Sequence, residues 1–334
     1  MHLVFESIAE DKPGPRWQHC FHELWPAYRR WFLAEGNTAR PTYLECERAL
    51  KAHLPKFVPT WERLVELAGG GDVEARFLSL YCPPPYLTGC SQAAWTHPAP
   101  LLARNYDYSP FLCEKLIWRT EWNGRPVIAS SDRLVGALDG INEAGLAVSL
   151  SFGGRQKTGE GFGAPMIVRY LLEFCSSVAE AAETLRTISV HMAYNILLLD
   201  ASGDYETAFT APDGPTILHR TPATTNHQDR VTWARYAEAT ATLERERRLY
   251  ELLEDHSLRP ADIVDRFLEP PLFQTEYRRG YGTLYTAVHH PIERAADYIW
   301  PGQRWAQRID LFQELRHSRT VAGPESGESL SAMP

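Results

Sequence analysis

Five short strands follow one another between residues 92 and 152, at 92–96, 101–106, 127–131, 135–143 and 146–152, with turn-forming residues between most of them. Strands in unbroken succession predict an antiparallel meander, because parallel neighbours need a long crossover between them. Two helices come next, one starting near Pro165 and one capped by Ser177 with Glu180 three residues on. Strands are expected again at 195–199 and 205–209, then a charged helix over 232–254, then strands at 283–289 and 295–300. Strands in groups and helices in pairs predict an α+β layered domain rather than a doubly wound parallel sheet.

Ahead of this meander, residues 1–75 read as helical. Phe21, Leu24, Trp25, Tyr28, Trp31 and Phe32 recur at helical spacing, which is a core-facing stripe before it is a ligand box. Gly69, Gly70 and Gly71 end that pattern, and 75–81 has strand character. Trp17, Trp25 and Trp31 carry too much apolar surface to leave in water, so this segment is expected to stay packed on the core. The last stretch, 317–334, lacks apolar content and is expected to be disordered. Within 232–254 the charge run containing Arg245, Arg247 and Arg248 reads as a solvated face.

Composition removes several functions. A formal net charge of −8 gives no broad attraction to nucleic acid or to anionic lipid, and neither is expected as a partner. The opening residues carry acids where a secretory signal has lysines, no apolar run approaches a membrane span, and the six cysteines include no CxxC pair. A reducing, cytoplasmic setting is the expectation. The twelve histidines form no metal-ligand spacing, there is no phosphate-binding loop, and the Gly159, Gly161, Gly163 stretch lacks the flanks of a dinucleotide site, so no metal and no cofactor are expected.

The chemistry concentrates in residues 86–108. Cys90 follows Gly89 at a strand start, and Arg104, Asn105 and Asp107 cluster at the end of the next strand. A hairpin turning at 97–100 brings these ends together, so that thiol, guanidinium and carboxylate share a site. A free thiol has a pKa of about 8.5 and needs help to become a nucleophile. Arg104 would favour the thiolate. The base would be a histidine or, if the chain is cut ahead of Cys90, that residue's own α-amine, whose pKa of about 7.7–8.0 suits the task.

Here the sequence resembles a known family. Gly-Cys-Ser at 89–91, Ala-Arg-Asn-Tyr-Asp-Tyr at 103–108, Gly-Ile-Asn-Glu-Ala-Gly-Leu-Ala-Val-Ser at 140–149 and Thr-Thr-Asn-His at 224–227 look like successive motifs of the autoproteolytic acyltransferase/hydrolase family. That family includes acyl-coenzyme A:isopenicillin N acyltransferase and is related to choloylglycine hydrolases and acid ceramidases. The resemblance implies a four-layer αββα fold and a zymogen that cuts itself between Gly89 and Cys90. It divides the chain into a helical prosegment over 1–89, a catalytic domain over 90–316 and the tail. Cys90 would attack a linear amide or thioester, Arg104 would tune the thiol and Asp107 would orient the freed α-amine. Asn226 would donate to the oxyanion with backbone N–H groups near the end of the 146–152 strand. Arg235 would match an arginine that follows the asparagine motif, and with Phe152 would border the substrate. The expected partner is a small amide or acyl compound, with acyl-coenzyme A and acylated amino acids or peptides as candidates.

Two other readings compete. His227 could serve as base of an uncut Cys-His pair, and the chain could be an inactive binding protein on the same fold. Asn142 and Glu143 read as turn residues without a catalytic role.

Overall fold

The computed structural model describes residues 1–322. Two sheets pack face to face. In spatial order the nine-stranded sheet contains Ile217–His219, Tyr205–Thr210, Tyr194–Leu199, Ala147–Phe152, Gly136–Asn142, Val127–Asp132, Leu116–Thr120, His2–Ala9 and Arg316–Thr320. The six-stranded sheet contains Ala223–Thr224, Gly89–Trp95, Leu101–Tyr108, Gly282–His290, Ala295–Trp300 and Gln303–Arg308. Pairing is antiparallel except between His2–Ala9 and Leu116–Thr120. Helices Ala164–Phe174 and Val178–Thr187 cover the outer face of the larger sheet, while Thr242–Glu254 and Pro260–Phe267 cover the smaller one. The result is the α+β layered domain the strand pattern predicts, with the four αββα layers the resemblance implies.

Period-two alternation sorts the Cys90 hairpin between two cores. On Gly89–Trp95 and Leu101–Tyr108, Cys90, Ala94, Leu102 and Tyr106 join the core between the sheets. Ala93, Trp95, Leu101 and Ala103 join a second core under Leu249, Leu252, Ile263 and Phe267. Each strand is therefore buried on both faces, polar side chains included. Helix Ala164–Phe174 approaches the larger sheet closely at Gly140, where an added Cβ would lie 2.7 Å from a methyl of Leu172.

The amino-terminal region departs from its sequence reading in two places. Residues 2–9 are a strand inside the nine-stranded sheet, with Leu3, Phe5 and Ile8 buried, so the segment 1–89 is not wholly helical. Residues Asp72–Ser79 are a helix and not the expected strand: Asp72 and Glu74 sit in its first turn, where the helix dipole favours acids. Its Phe77 packs 5.1 Å from Trp25, 5.2 Å from Tyr28 and 5.7 Å from Phe32, on the stripe of helix Pro15–Phe32. The Glu10 carboxylate caps that helix by accepting from the main-chain N–H groups of Arg16 and Trp17. Trp17 is fully buried and its indole donates to the Leu134 carbonyl at 2.8 Å, so the segment shares one continuous core with the sheets.

Two further differences lie nearer the carboxyl end. The expected helix over 232–254 is two helices, Ala234–Ala239 and Thr242–Glu254, broken where Ala241 takes φ +48°. Residues 316–320, most of them assigned to a disordered tail, form an edge strand against His2–Ala9; the rest of that expectation, from residue 323 on, lies outside the described residues. The turn at Asn142 is as expected: its side-chain oxygen accepts from the N–H groups of Ala144 and Leu146, with Gly145 at φ +85°. No helix among the described residues is long and apolar enough to cross a membrane.

Candidate active site

Register brings the predicted residues together. Gly89 pairs with Asp107, Cys90 with Tyr106 and Gln92 with Arg104. Residues opposite or diagonal on one face touch, so Arg104 reaches back to Cys90, its Nη2 donating to Sγ at 3.1 Å. Arg104 is fully buried and every reach of its side chain is occupied: Nε donates to the Leu150 carbonyl at 2.9 Å and Nη1 to Asp139 at 2.7 Å. Tyr285 donates to the same Asp139 oxygen at 3.0 Å, and His289 Nε2 lies 3.3 Å from the other.

Asp107 lies on the opposite face of the hairpin from the thiol. The expected sharing of one site by thiol, guanidinium and carboxylate therefore happens through the strand and not across open space. What ties Asp107 to the Cys90 main chain is Arg245, a residue the sequence reading placed on a solvated helix face and the structure buries completely. Its Nη1 donates to the Cys90 carbonyl at 2.7 Å, to Ser91 Oγ at 2.9 Å and to Asp107 at 3.3 Å, and its Nη2 to Asn226 Oδ1 at 2.7 Å. Thr283 completes the Asp107 contacts at 2.6 Å.

Asn226 follows the short strand Ala223–Thr224, which pairs with the Cys90 strand through Gln92. Its side-chain oxygen accepts from the Cys90 N–H at 2.9 Å, and its Nδ2 donates to the carbonyls of Thr88 at 3.2 Å and Phe152 at 3.3 Å. Tyr236 also donates to the Thr88 carbonyl, at 2.6 Å. Three side chains thus grip the peptide on both sides of the Gly89–Cys90 bond. The nitrogen assigned to Asp107 by resemblance is held here by Asn226, with Asp107 one arginine away. Phe152 contributes its carbonyl, and its ring packs 5.4 Å from Tyr236. Arg235 is exposed on Ala234–Ala239, and Arg245 is the arginine that follows Asn226 into the site.

Burial sets the ionisation of this cluster. It pushes the Cys90 thiol up, against the pull of Arg104. It pushes the Asp107 carboxyl up as well, opposed by Arg245 and then Thr283. Arg104 stays charged although burial works to discharge it, because Cys90 and Asp139 face it. Asp139 is held below the usual carboxylate range: burial opposes ionisation, but His289 and Arg104 outweigh it. The His227 ring is occupied elsewhere, with Nε2 3.1 Å from Glu246 and Nδ1 3.2 Å from Thr242. The recorded partners of the thiol are Arg104 and, at 3.9 Å, the Thr88 hydroxyl. A cavity of about 220 Å³ opens beside Thr88 and Gly89, lined also by Tyr236, Gln274 and Tyr281.

The model of the acyl-coenzyme A:6-aminopenicillanic acid acyl-transferase family matches residues 95–305, and the chain belongs to that family. No curated protein matches it. Among solved structures it is similar to penicillin V acylase from Agrobacterium tumefaciens, at 14% identity over 66% of this chain and 86% of that one, with a TM-score of 0.45. A variant of the conjugated bile acid hydrolase from Clostridium perfringens shares 12% over 72% and 100%, at 0.46. The N-acylethanolamine-hydrolyzing acid amidase ortholog from Caenorhabditis elegans shares 14% over 61% and 93%, at 0.42.

Proposed function

We propose that the protein is a cysteine N-terminal-nucleophile amidohydrolase or acyltransferase that activates itself by cutting between Gly89 and Cys90. The observation that carries this reading is the division of labour around one residue: Arg104 on the Cys90 sulfur, Asn226 on the Cys90 nitrogen and Arg245 on its carbonyl.

In the first reaction Sγ attacks the Gly89 carbonyl carbon. The Gly89–Cys90 C–N bond breaks, the thiol proton ends on the departing nitrogen, and a thioester to Gly89 remains. Water hydrolyses it, leaving a Gly89 carboxylate and a free Cys90 amine and thiol. In the second reaction that amine takes the thiol proton, the thiolate attacks a linear amide, and the protonated amine returns its proton to the leaving nitrogen. The acyl thioester then passes to water or to an acceptor amine. Arg104 favours the thiolate in both reactions. Asn226 Nδ2, already against the carbonyl of Thr88, is the candidate donor to the oxyanion, a role whose loss typically costs roughly 100- to 1,000-fold in rate. Arg245 and Asp107 position the Cys90 main chain and Asn226. The substrate is a small amide or acyl compound.

Intact mass under denaturing conditions, on wild type and Cys90→Ala side by side, tests this. Two wild-type fragments meeting at residues 89 and 90, with an intact mutant, are expected. A full-length wild-type chain that an activated ester does not acylate on Cys90 would overturn the reading.

A further inference from the structure

Tyr281 enters none of the steps above, yet it stands over the bond they break. It directly precedes the strand Gly282–His290, whose Thr283 pairs with Asp107, the residue opposite Gly89. Its ring is buried, and its hydroxyl is enclosed without a hydrogen-bond partner among the described residues. An enclosed hydroxyl with no partner is a liability for stability, so its position asks for another explanation.

Gly89 supplies one. It sits in a strand and outside the left-handed region, so its backbone does not require glycine. Space requires it. A Cβ built on Gly89 would overlap the Tyr281 hydroxyl and lie 2.7 Å from Cζ and 3.0 Å from Cε2 of the ring. The Tyr281 main chain is held by its N–H donating to the Glu276 carbonyl at 3.3 Å. The same residue borders the cavity that opens beside Thr88 and Gly89.

We infer that Tyr281 is a specificity-determining residue that reads the α-carbon of the acyl group, admitting acyl groups with an α-methylene and rejecting those with an α-substituent. This rests on the function proposed above, because one sulfur attacks both carbonyls and the substrate acyl carbon then takes the place of the Gly89 carbonyl carbon. Gly89 is the built-in example of an accepted acyl group: its α-carbon is a methylene. Straight-chain acyl amides and thioesters fit the same space. Branched acyl groups and acyl groups derived from side-chain-bearing L-amino acids meet the tyrosine.

The test compares acylation of Cys90 by 4-nitrophenyl propanoate and 4-nitrophenyl 2-methylpropanoate, followed by intact mass and normalised to the rates of the two esters with N-acetylcysteine. Wild type should prefer the straight-chain ester by ~10-fold or more, the range a single misplaced methyl produces. Tyr281→Ala should lose that preference by accepting the branched ester faster. In the precursor, Gly89→Ala should block self-cutting and Gly89→Ala with Tyr281→Ala should restore it. Equal normalised rates in wild type, or an undiminished preference in Tyr281→Ala, would overturn the inference and leave the proposed function standing. Acylation by neither ester would instead sink the proposed function.

Discussion

The two faces of the Cys90 strand are built from similar parts and do different things. Between the sheets, Arg104 meets Asp139 at 2.7 Å and puts its remaining nitrogen on the sulfur. On the outer face, Arg245 meets Asp107 at 3.3 Å through the nitrogen that also donates to the Cys90 carbonyl, and puts its Nη2 on Asn226. Each is a fully buried arginine–carboxylate pair. Under the proposed function, the inner pair adjusts the charge of the Cys90 sulfur, whereas the outer pair fixes where the Cys90 backbone and Asn226 stand. Two pairs of the same chemistry thus separate reactivity from geometry, because a strand sends alternate side chains to opposite faces.

Three substitutions break or sharpen that comparison. The largest effect is expected from Arg245→Ala, which leaves Asp107 buried without its partner and frees Asn226. Self-cutting, followed by intact mass, should slow by roughly 100-fold or more, and denaturant unfolding should show a loss of ~3–5 kcal/mol. Next, Arg104→Gln removes the cation that opposes burial at the thiol. The Cys90 pKa should rise further, so that alkylation by iodoacetamide near neutral pH slows by about tenfold or more and its pH profile moves upward. If Arg245→Ala moved that profile as far as Arg104→Gln, the division between the faces would fail. The smallest effect is expected from Asp139→Asn. Removing a negative charge behind Arg104 leaves more of its field for the thiolate, so the alkylation profile should move the other way, downward by ~1 unit or less. An upward move would show that Asp139 acts by holding Arg104 in place rather than by sharing its charge.

Much of the inner site was legible locally. Cys90, Arg104 and Asp107 lie on one hairpin, and pairing of adjacent strands follows from short-range pattern and turn chemistry. On the outer face Asp107 and Asn226 were named as well, but the arginine that joins them was not. Arg245 sits in a run of charged residues whose simplest reading is a wet helix face, and no local signal marks the one guanidinium that turns inward. Asp139, Tyr285 and Thr283 were missed for a related reason: they reach the hairpin from other strands, Asp139 from the opposite sheet. The helix at 72–79 was misread because an apolar run of that length has no decisive period, and only the aromatic stripe of helix Pro15–Phe32 gives its helical face a partner.

By itself, then, the sequence determined the elements that local physics controls: the α+β class, the Cys90 hairpin, the Ser177 cap and the Asn142 turn, since periodicity, capping and turn chemistry act within a few residues. Tertiary structure decided which buried arginine serves which atom of Cys90, that His227 is committed to Glu246 and Thr242, and that Tyr281 stands over Gly89. Those choices depend on sheet-to-sheet and helix-to-sheet packing between residues far apart in the chain, where the desolvation of each charge and the space beside each Cα are set only once the layers close.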